Sequence, residues 1–223
     1  MDTTLRRKLL TYLGGAAIAL SPNTIDQTNS TVSLIPDRVM EEFLDDVNDE
    51  NWKSKDLIKL VQLLVDSPSA QIRCHAASLL SKVELDLEHR EIKSIMSRLA
   101  RDEEPSVRET LAESVAARIG KLSELDRMQI ILDWSLSSET AIRRHAANVM
   151  SHCVSTFGAD LALDYLSNDE SMDVRLAVVE ASAKRINEDR DWYGEIIERL
   201  SEDESLPVRM SADMASLKLV DLV

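Results

Sequence analysis

The sequence is poor in the residues that sheet proteins depend on. Aromatic residues make up 4% of its 223 residues, and glycine and proline occur five times each. Strands favour aromatic and β-branched side chains, and tight hairpins need glycine and proline, so this composition favours helices over sheets. The one credible strand run covers residues 31–35 and ends at Pro36. The composition therefore predicts an all-α protein.

Cysteine and metal-binding side chains are also scarce. Cys74 and Cys153 are far apart and form no CxxC motif, so we expect two reduced, partly buried thiols rather than a disulfide framework. The four histidines are widely spread, and although His145 and His152 share one predicted helix, we predict no metal site and no cofactor. The sequence also lacks GxSxG, phosphate-loop and HExxH motifs, and it therefore predicts no enzyme.

Basic residues are too few for a surface that binds nucleic acid broadly. Forty acidic residues against 26 basic ones give a formal net charge of −14. Nucleic-acid binding takes most of its affinity from the neutralisation of phosphates, which an acidic surface cannot supply. The same charge suits a basic protein partner, or it serves high solubility alone.

What the sequence does contain is one short motif repeated five times. An acidic turn is followed by Val or Ile and then Arg, as in Asp-Glu-Ser-Met-Asp-Val-Arg at residues 169–175. The arginines are 35, 35, 32 and 34 residues apart, at Arg73, Arg108, Arg143, Arg175 and Arg209. A period of that length is the signature of stacked helical repeats.

Each repeat is predicted to be a helical hairpin. After the turn, Val174, Ala177, Val178 and Ala181 recur at steps of three and four residues, which places them on one helix face. The turn acids suit the start of that helix, where side-chain oxygens cap free amides and negative charge complements the dipole. One hairpin cannot bury its apolar face alone, so neighbouring hairpins must stack.

The same pattern predicts where the helices begin and end. The first helices are expected over residues 55–65, 91–100, 125–136, 161–166 and 192–200, and the second helices are expected to begin at each arginine. Gly120 and Gly158 fall between repeats, where a helix often ends on a residue with positive φ. Trp134 and Trp192 are expected to fill the core.

The acidic turn, the Val/Ile-Arg pair and the alanine-rich second helix recur in register over residues 55–223 and resemble the HEAT family of armadillo-type α-solenoids. The resemblance implies a right-handed α-α superhelix of about five helical hairpins with an N-terminal helical cap. In that family the turn aspartate and the arginine often bond between adjacent repeats and form a ladder. The predicted ladder residues are Asp102, Asp169, Asp203, Arg73, Arg108, Arg143, Arg175 and Arg209.

Two features qualify the ladder. Ser137 stands where the other turns have aspartate, so the ladder is predicted to be weaker at that repeat. The five arginines are also a candidate phosphate-binding row. Because acids alternate with them along the chain, internal pairing is the favoured interpretation.

The resemblance also implies that the second helices line a concave side where a partner binds. Positions one and five after each arginine form two rows, which are acidic at their centre and apolar at the C-terminal end. The predicted partner-binding residues are Glu109, Glu113, Arg144, Asn148, Leu176, Glu180, Met210 and Met214. If the helix phase is wrong by one position, Leu176, Met210 and Met214 belong to the core instead.

The chain ends carry signals of their own. Residues 1–20 contain Arg6-Arg7, an apolar run and Ala17-Ile-Ala19, which resemble a twin-arginine export signal, or they form a retained amphipathic helix. That run is too short to span a bilayer. Residues 21–35 are a polar linker, and the repeat domain covers residues 36–223. The apolar residues 217–223 predict a further element, a dimer contact or a chain cut short there.

These observations predict a non-enzymatic protein–protein interaction module. It would act in the cytoplasm as a scaffold or regulatory subunit whose concave face grips a protein partner, for example a basic segment. Two alternatives stay open: an enzyme subunit like the phycobilin lyases of HEAT-like type, and an exported scaffold with a cleaved signal. A DNA-alkylation glycosylase, another activity of HEAT-like proteins, needs a basic, aromatic-lined groove that this composition excludes.

Overall fold

The protein is helical throughout the part that the structure describes. The computed structural model describes residues 54–83, 90–153 and 157–220, and in these ranges it contains ten α-helices and no strand. The predictions for residues 1–20, for the linker 21–35 and for a cap helix from Pro36 lie outside these ranges. The helices are α1 (Ser54–Leu64), α2 (Ala70–Leu79), α3 (Arg90–Ala100), α4 (Pro105–Ile119), α5 (Glu124–Ser135), α6 (Thr140–Met150), α7 (Phe157–Leu166), α8 (Met172–Arg185), α9 (Arg190–Ser201) and α10 (Leu206–Val220).

The odd-numbered helices are the predicted first helices, and the even-numbered helices are the predicted second helices. The chain divides into two compact units, Met1–Ser114 and Val115–Val223. In the first unit α1 packs against α2 and α3. In the second unit the second helices α6, α8 and α10 pack side by side, and the first helices α5 and α7 pack against each other. Each unit therefore stacks helical layers, as the repeat pattern predicts.

The second helices do not begin at the arginines, as we predicted, but three residues earlier. In α8, for example, the helix begins at Met172 and Arg175 is its fourth residue. The Arg175 amide is a hydrogen-bond donor to the carbonyl of Ser171, just before the helix, at 3.1 Å. The backbone amides in the first turn of a helix have no carbonyl four residues earlier within the helix. The arginine amide is therefore the first to make the i to i−4 hydrogen bond of an α-helix.

The core follows the predicted apolar face. Val174, Val178 and Ala181 are fully buried, and Ala177 is 4% exposed. Helix α8 contacts α6, α7, α9 and α10, so its burial extends beyond one face to Val179. Complete burial of a valine side chain contributes about 1.5–3 kcal/mol to stability, and the small alanines let the second helices approach closely.

The prediction of positive φ at the inter-repeat glycines was wrong. No glycine among the described residues has positive φ. Gly120 extends the backbone of α4, and its amide is a donor to the carbonyl of Ala116 at 2.9 Å. Gly158 lies inside α7, where a Cβ atom would come within 2.6 Å of Met128 Cγ on α5. Gly158 therefore serves the close approach of two first helices rather than a helix stop.

Membrane insertion is a separate question for a helical protein. Over residues 54–83, 90–153 and 157–220, no helix combines the length and apolar character that a bilayer span requires.

Candidate functional site

Three arginine–aspartate pairs link consecutive repeats inside the two units. Arg73 pairs with Asp102 in the first unit, through Nε–Oδ2 at 2.6 Å and Nη2–Oδ1 at 2.9 Å. Arg143 pairs with Asp169 in the second unit at 2.6 and 3.0 Å. Parallel bonds from one guanidinium to both carboxylate oxygens are among the strongest ion-pair geometries in proteins.

The electrostatics of these pairs favour the charged forms. Burial by itself would raise the pKa of Asp102, but the hydrogen bond from Arg73 and the Glu104 amide hold that pKa below the ordinary carboxyl value. The hydrogen bond to Asp102 raises the pKa of Arg73 above its ordinary value. Both shifts favour the ionised forms, so the pair is charged at neutral pH and acts as a structural contact.

Each ladder arginine also holds its own turn. Arg108 Nη1 donates to the carbonyls of Asp102 and Glu103 at 2.7 and 2.9 Å. Arg209 makes the same two contacts with Asp203 and Glu204, at 2.5 and 3.0 Å. The guanidinium thus donates hydrogen bonds to turn carbonyls that receive none from the backbone amides of a helix.

Ser137 keeps one of the two roles of the turn aspartate. Its hydroxyl oxygen accepts a hydrogen bond from the Glu139 amide at 3.2 Å. Asp169 does the same for the Ser171 amide at 2.9 Å with one carboxylate oxygen. A hydroxyl has no charge and no second oxygen, so Ser137 can shape a turn but cannot accept an arginine through two parallel bonds.

A buried charged cluster in the second unit was not expected from the sequence. Arg185, on α8, is 1% exposed, and its Nη2 lies 3.2 Å from Asp160 on α7 and 3.0 Å from Glu188. The Tyr193 hydroxyl, on α9, donates to Asp160 at 2.5 Å, and the guanidinium lies 5.1 Å from the Tyr193 ring centroid. Arg118 follows Arg108 by ten residues, and Arg185 follows Arg175 by ten residues. This repeated spacing is the sequence feature that could have indicated a structural role for Arg185.

Two further titratable groups are buried in the second unit. Burial, together with the nearby Arg144 charge, lowers the pKa of His145 to about 3, and its ring lies 5.6 Å from that of Trp134. Burial raises the pKa of Cys153 to about 11, against the opposite effect of Arg185. At neutral pH both groups are uncharged, so neither is prepared for acid–base or nucleophilic chemistry.

The predicted partner-binding residues lie on four second helices and none of them is buried. Glu109 and Glu113 belong to α4 in the first unit. The other six belong to the second unit, on α6, α8 and α10: Arg144, Asn148, Leu176, Glu180, Met210 and Met214. Glu180, Met210 and Met214 are exposed, whereas Leu176 is half-buried and belongs to the patch only in part.

The apolar end of this surface is larger than the sequence rows suggested. On α10, Leu206, Met210, Met214 and Leu217 follow one another at steps of four, four and three residues, which places them on one helix face. Their exposed fractions are 57%, 56%, 63% and 67%. We call these four residues the α10 stripe. Asp173 and Glu180, both exposed, lie on the adjacent α8.

A second exposed apolar set occurs on the first helices of the same unit. Leu125, Leu132 and Leu136 are exposed along and just after α5, and Leu161 and Tyr165 are exposed on α7. Their spacing matches that of core residues, so the sequence pattern does not distinguish them from a buried face. The difference depends on which helices cover them.

Comparison with known proteins supports the fold and extends no further. No protein-family model matches the sequence, and no curated protein matches it. The structure of smu.31 from Streptococcus mutans UA159 is similar with a TM-score of 0.63 at 22% identity, over 85% of this chain and 96% of that one. AlkD2 from Streptococcus mutans is similar with a TM-score of 0.61 at 22% identity, over 87% and 96%. A designed armadillo repeat protein has a TM-score of 0.36 at 14% identity, over 85% and 97%.

Consecutive helical hairpins repeat along the described residues, and the same arginine–aspartate pair joins one repeat to the next in three places. The chain therefore has an all-helical solenoid fold with HEAT-like repeats, and the similarity to smu.31 and AlkD2 supports it.

Proposed function

We propose that the protein is a non-enzymatic interaction module, a scaffold or regulatory subunit, that binds a protein partner through the second helices of the unit Val115–Val223. The single observation that supports this proposal most strongly is the α10 stripe, with four large apolar side chains more than half exposed on one helix face. A contiguous apolar patch of this kind on a soluble protein commonly marks a contact surface.

The charges beside the α10 stripe define the partner's chemistry. Glu180 on α8 is an exposed carboxylate, and Asp213 is exposed on α10 itself. Asp173 on α8 is also exposed, but Arg144 lies 3.9 Å from it and offsets part of its charge. A partner segment with an apolar side and lysine or arginine residues at its margin complements this surface, while an acidic segment is repelled. The overall charge of −14 favours the same choice at longer range.

Site-specific photo-crosslinking in the native cell tests this proposal. A benzoylphenylalanine side chain at Glu180, beside the stripe, is expected to capture one protein, and the same group at Glu198, exposed on α9, is expected to capture none in common. The double variant Met210→Asp/Met214→Asp should abolish the capture from position 180, because charged side chains oppose burial of the stripe.

A charge-matched control separates the stripe from a change in net charge. Ser138→Asp/Asn187→Asp also adds two negative charges, at exposed positions outside α10, and it should leave the crosslink intact. Circular dichroism should show equal helix content in all variants. If the crosslink from position 180 survives Met210→Asp/Met214→Asp, the α10 stripe is not the binding surface.

A further inference from the structure

The first helices of the second unit present an apolar surface that the proposed function does not use. On α5 and just after it, Leu125, Met128, Leu132 and Leu136 follow at steps of three, four and four residues. Their exposed fractions are 68%, 38%, 44% and 58%. At 1.5 Å per residue the row is about 17 Å long, or about three helical turns.

Helix α7 widens this surface. Leu161 and Tyr165, one turn apart, are 45% and 56% exposed. Helices α5 and α7 pack against each other, and Gly158 on α7 allows the close contact with Met128. We call the six exposed residues of the two helices the α5–α7 surface. It exceeds the scattered apolar exposure that is ordinary on a soluble protein.

A cleft lies at one end of the α5–α7 surface. Its volume is about 560 Å³, and its lining includes Leu136, Leu161 and Tyr165 together with the carboxylates of Asp164 and Glu170. A cleft of this size accepts a large apolar side chain with room for a neighbouring one. Arg143 lines the same cleft and contacts Glu170, whose side chain is 87% exposed, at 3.2 Å. The cleft therefore supplies the site for the apolar anchor, and the preference for a cation comes from the flank of α5.

The flank of α5 is acidic. Asp126 accepts a hydrogen bond from the Ser123 hydroxyl at 2.7 Å, and Asp133 accepts one from the Gln129 amide at 2.8 Å. Both donors are neutral, so these hydrogen bonds leave the carboxylate charges uncompensated. Asp164 differs, because Arg199 contacts it at 2.6 Å.

From these contacts we propose that the α5–α7 surface is a second docking site, distinct from the α10 stripe, for an amphipathic helix of a protein partner. That helix carries apolar side chains at steps of three and four residues over about three turns, and lysine or arginine beside them. One bulky apolar side chain enters the cleft lined by Leu136, Leu161 and Tyr165. An apolar helix face in a groove with charged margins is a recurrent mode of recognition.

Charge argues against a second copy of this chain as the occupant. The chain carries a formal charge of −14, and two copies joined at this surface would place the Asp126 and Asp133 carboxylates of each near acidic surface of the other. Like charges at an interface reduce affinity, and opposite charges increase it. A basic amphipathic helix gains affinity both from burial against the apolar row and from attraction to the acidic margin of α5.

Methionine methyl NMR with a designed peptide tests the proposal directly. The probe is a 14-residue helical peptide with leucine at the matching positions and lysine beside them, added to the full chain. Met128 reports on the α5–α7 surface, and Met210 and Met214 report on the α10 stripe. Binding should shift the Met128 methyl signal, assigned from a Met128→Leu variant, and leave the other two unchanged.

Two variants and two peptides make the result decisive. Leu132→Asp/Leu161→Asp should weaken peptide binding at least tenfold by fluorescence anisotropy, and Met210→Asp/Met214→Asp should not change it. A peptide with the lysines replaced by glutamate, or with the same composition scrambled, should bind at least tenfold more weakly.

Other outcomes overturn the proposal. They are absence of peptide binding, equal binding of the lysine and glutamate peptides, or shifts confined to Met210 and Met214. A concentration-dependent dimer that Leu132→Asp/Leu161→Asp abolishes would identify a second copy as the occupant and would also overturn it. None of these results affects the crosslinking test of the α10 stripe.

Discussion

Arg175 and Asp203 join two successive repeats through a pair of parallel hydrogen bonds. Arg175 Nε lies 2.7 Å from Asp203 Oδ2, and Nη2 lies 2.9 Å from Oδ1. The remaining nitrogen, Nη1, donates to the carbonyl of Asp169 in the turn of its own repeat at 2.7 Å. One guanidinium therefore holds the start of α8 and the turn before α10, and both side chains of the pair are 7% exposed.

The first prediction concerns this pair. Arg175→Met should lower the free energy of unfolding by about 2–4 kcal/mol, because it leaves the buried Asp203 carboxylate and a turn carbonyl without their partner. Urea denaturation measures the change. Glu204→Gln is the matched control: Glu204 contacts the same guanidinium at 3.3 Å but is 85% exposed. It should change stability by less than about 0.5 kcal/mol, and equal losses in both variants would contradict a structural role specific to Asp203.

The second prediction concerns pH. The folded protein holds His145 neutral, with a pKa of about 3 against 6.5 in a model compound, so the unfolded chain binds one more proton between those values. Stability should therefore fall as the pH is lowered from 6.5, by about 2 kcal/mol at pH 4.5. Urea midpoints at pH 7.5, 6.5, 5.5 and 4.5 measure it.

A variant isolates the histidine. His145→Leu should remove most of this slope, whatever it does to stability at pH 7.5. Asp203 contributes mainly below pH 4.5: burial alone would raise its pKa, but Arg175 and the Ser205 amide hold the pKa lower, so its stabilisation is lost as the pH falls through that lowered value. An unchanged slope in His145→Leu would assign the pH dependence to other groups.

The third prediction concerns thiol reactivity. Burial raises the pKa of Cys153 to about 11, so the thiolate fraction is very small at pH 8 and the side chain is 7% exposed. Cys74 is only half-buried. Iodoacetamide should therefore modify Cys153 at least about 100-fold more slowly than Cys74 in the native protein, as peptide mass spectrometry can measure. In 6 M guanidinium chloride the two rates should converge; a fast native reaction at Cys153 would show that its cover opens readily.

The fourth prediction uses two helical glycines as a matched pair. Gly194, inside α9, has nothing within 4 Å of an added Cβ atom, so Gly194→Ala should stabilise the protein by about 0.5–1 kcal/mol. Gly158→Ala should instead destabilise it by about 1 kcal/mol, because the new methyl group would lie 2.6 Å from Met128 Cγ.

Thermal unfolding compares the two variants. In a protein that already carries Met128→Ala, adding Gly158→Ala should cost less stability than it does in the unaltered protein, because the side chain with which the new methyl group clashes has been removed. If Gly158→Ala stabilises as much as Gly194→Ala does, the close contact between α5 and α7 is not required.

Much of the fold could be read from local pattern. The period of the Val/Ile-Arg motif predicted the hairpins, and the alternation of acids and arginines along the chain indicated internal pairing, which the contact of Arg143 with Asp169 displays. Such features repeat in every copy, so a single sequence shows them several times. The predicted first helices agree with α3, α5, α7 and α9 to within four residues at either end.

The errors and omissions depend on contacts between elements. Gly158 looked like a helix stop, but its place is decided by Met128 on another helix. The repeat pattern predicted no role for Arg185, which contacts Asp160 on the preceding helix α7 and the Tyr193 ring on the following helix α9. Leu132 has the spacing of a core residue, yet it is exposed because α5 has no helix over that side within the described part of the second unit.

The sequence by itself determined the helical class and the repeat length, because these follow from a periodicity that recurs in each repeat. The arginine–aspartate ladder was implied by the resemblance to the HEAT family, and the structure describes three such pairs, at Arg73, Arg143 and Arg175. Only the tertiary structure decided which of the apolar side chains remain uncovered. Periodicity tells which residues share a helix face, whereas burial of that face depends on helices far away in the chain. The α5–α7 surface is of this second kind, and so are Leu206 and Leu217 of the α10 stripe, whereas Met210 and Met214 were predicted from the rows of the repeats.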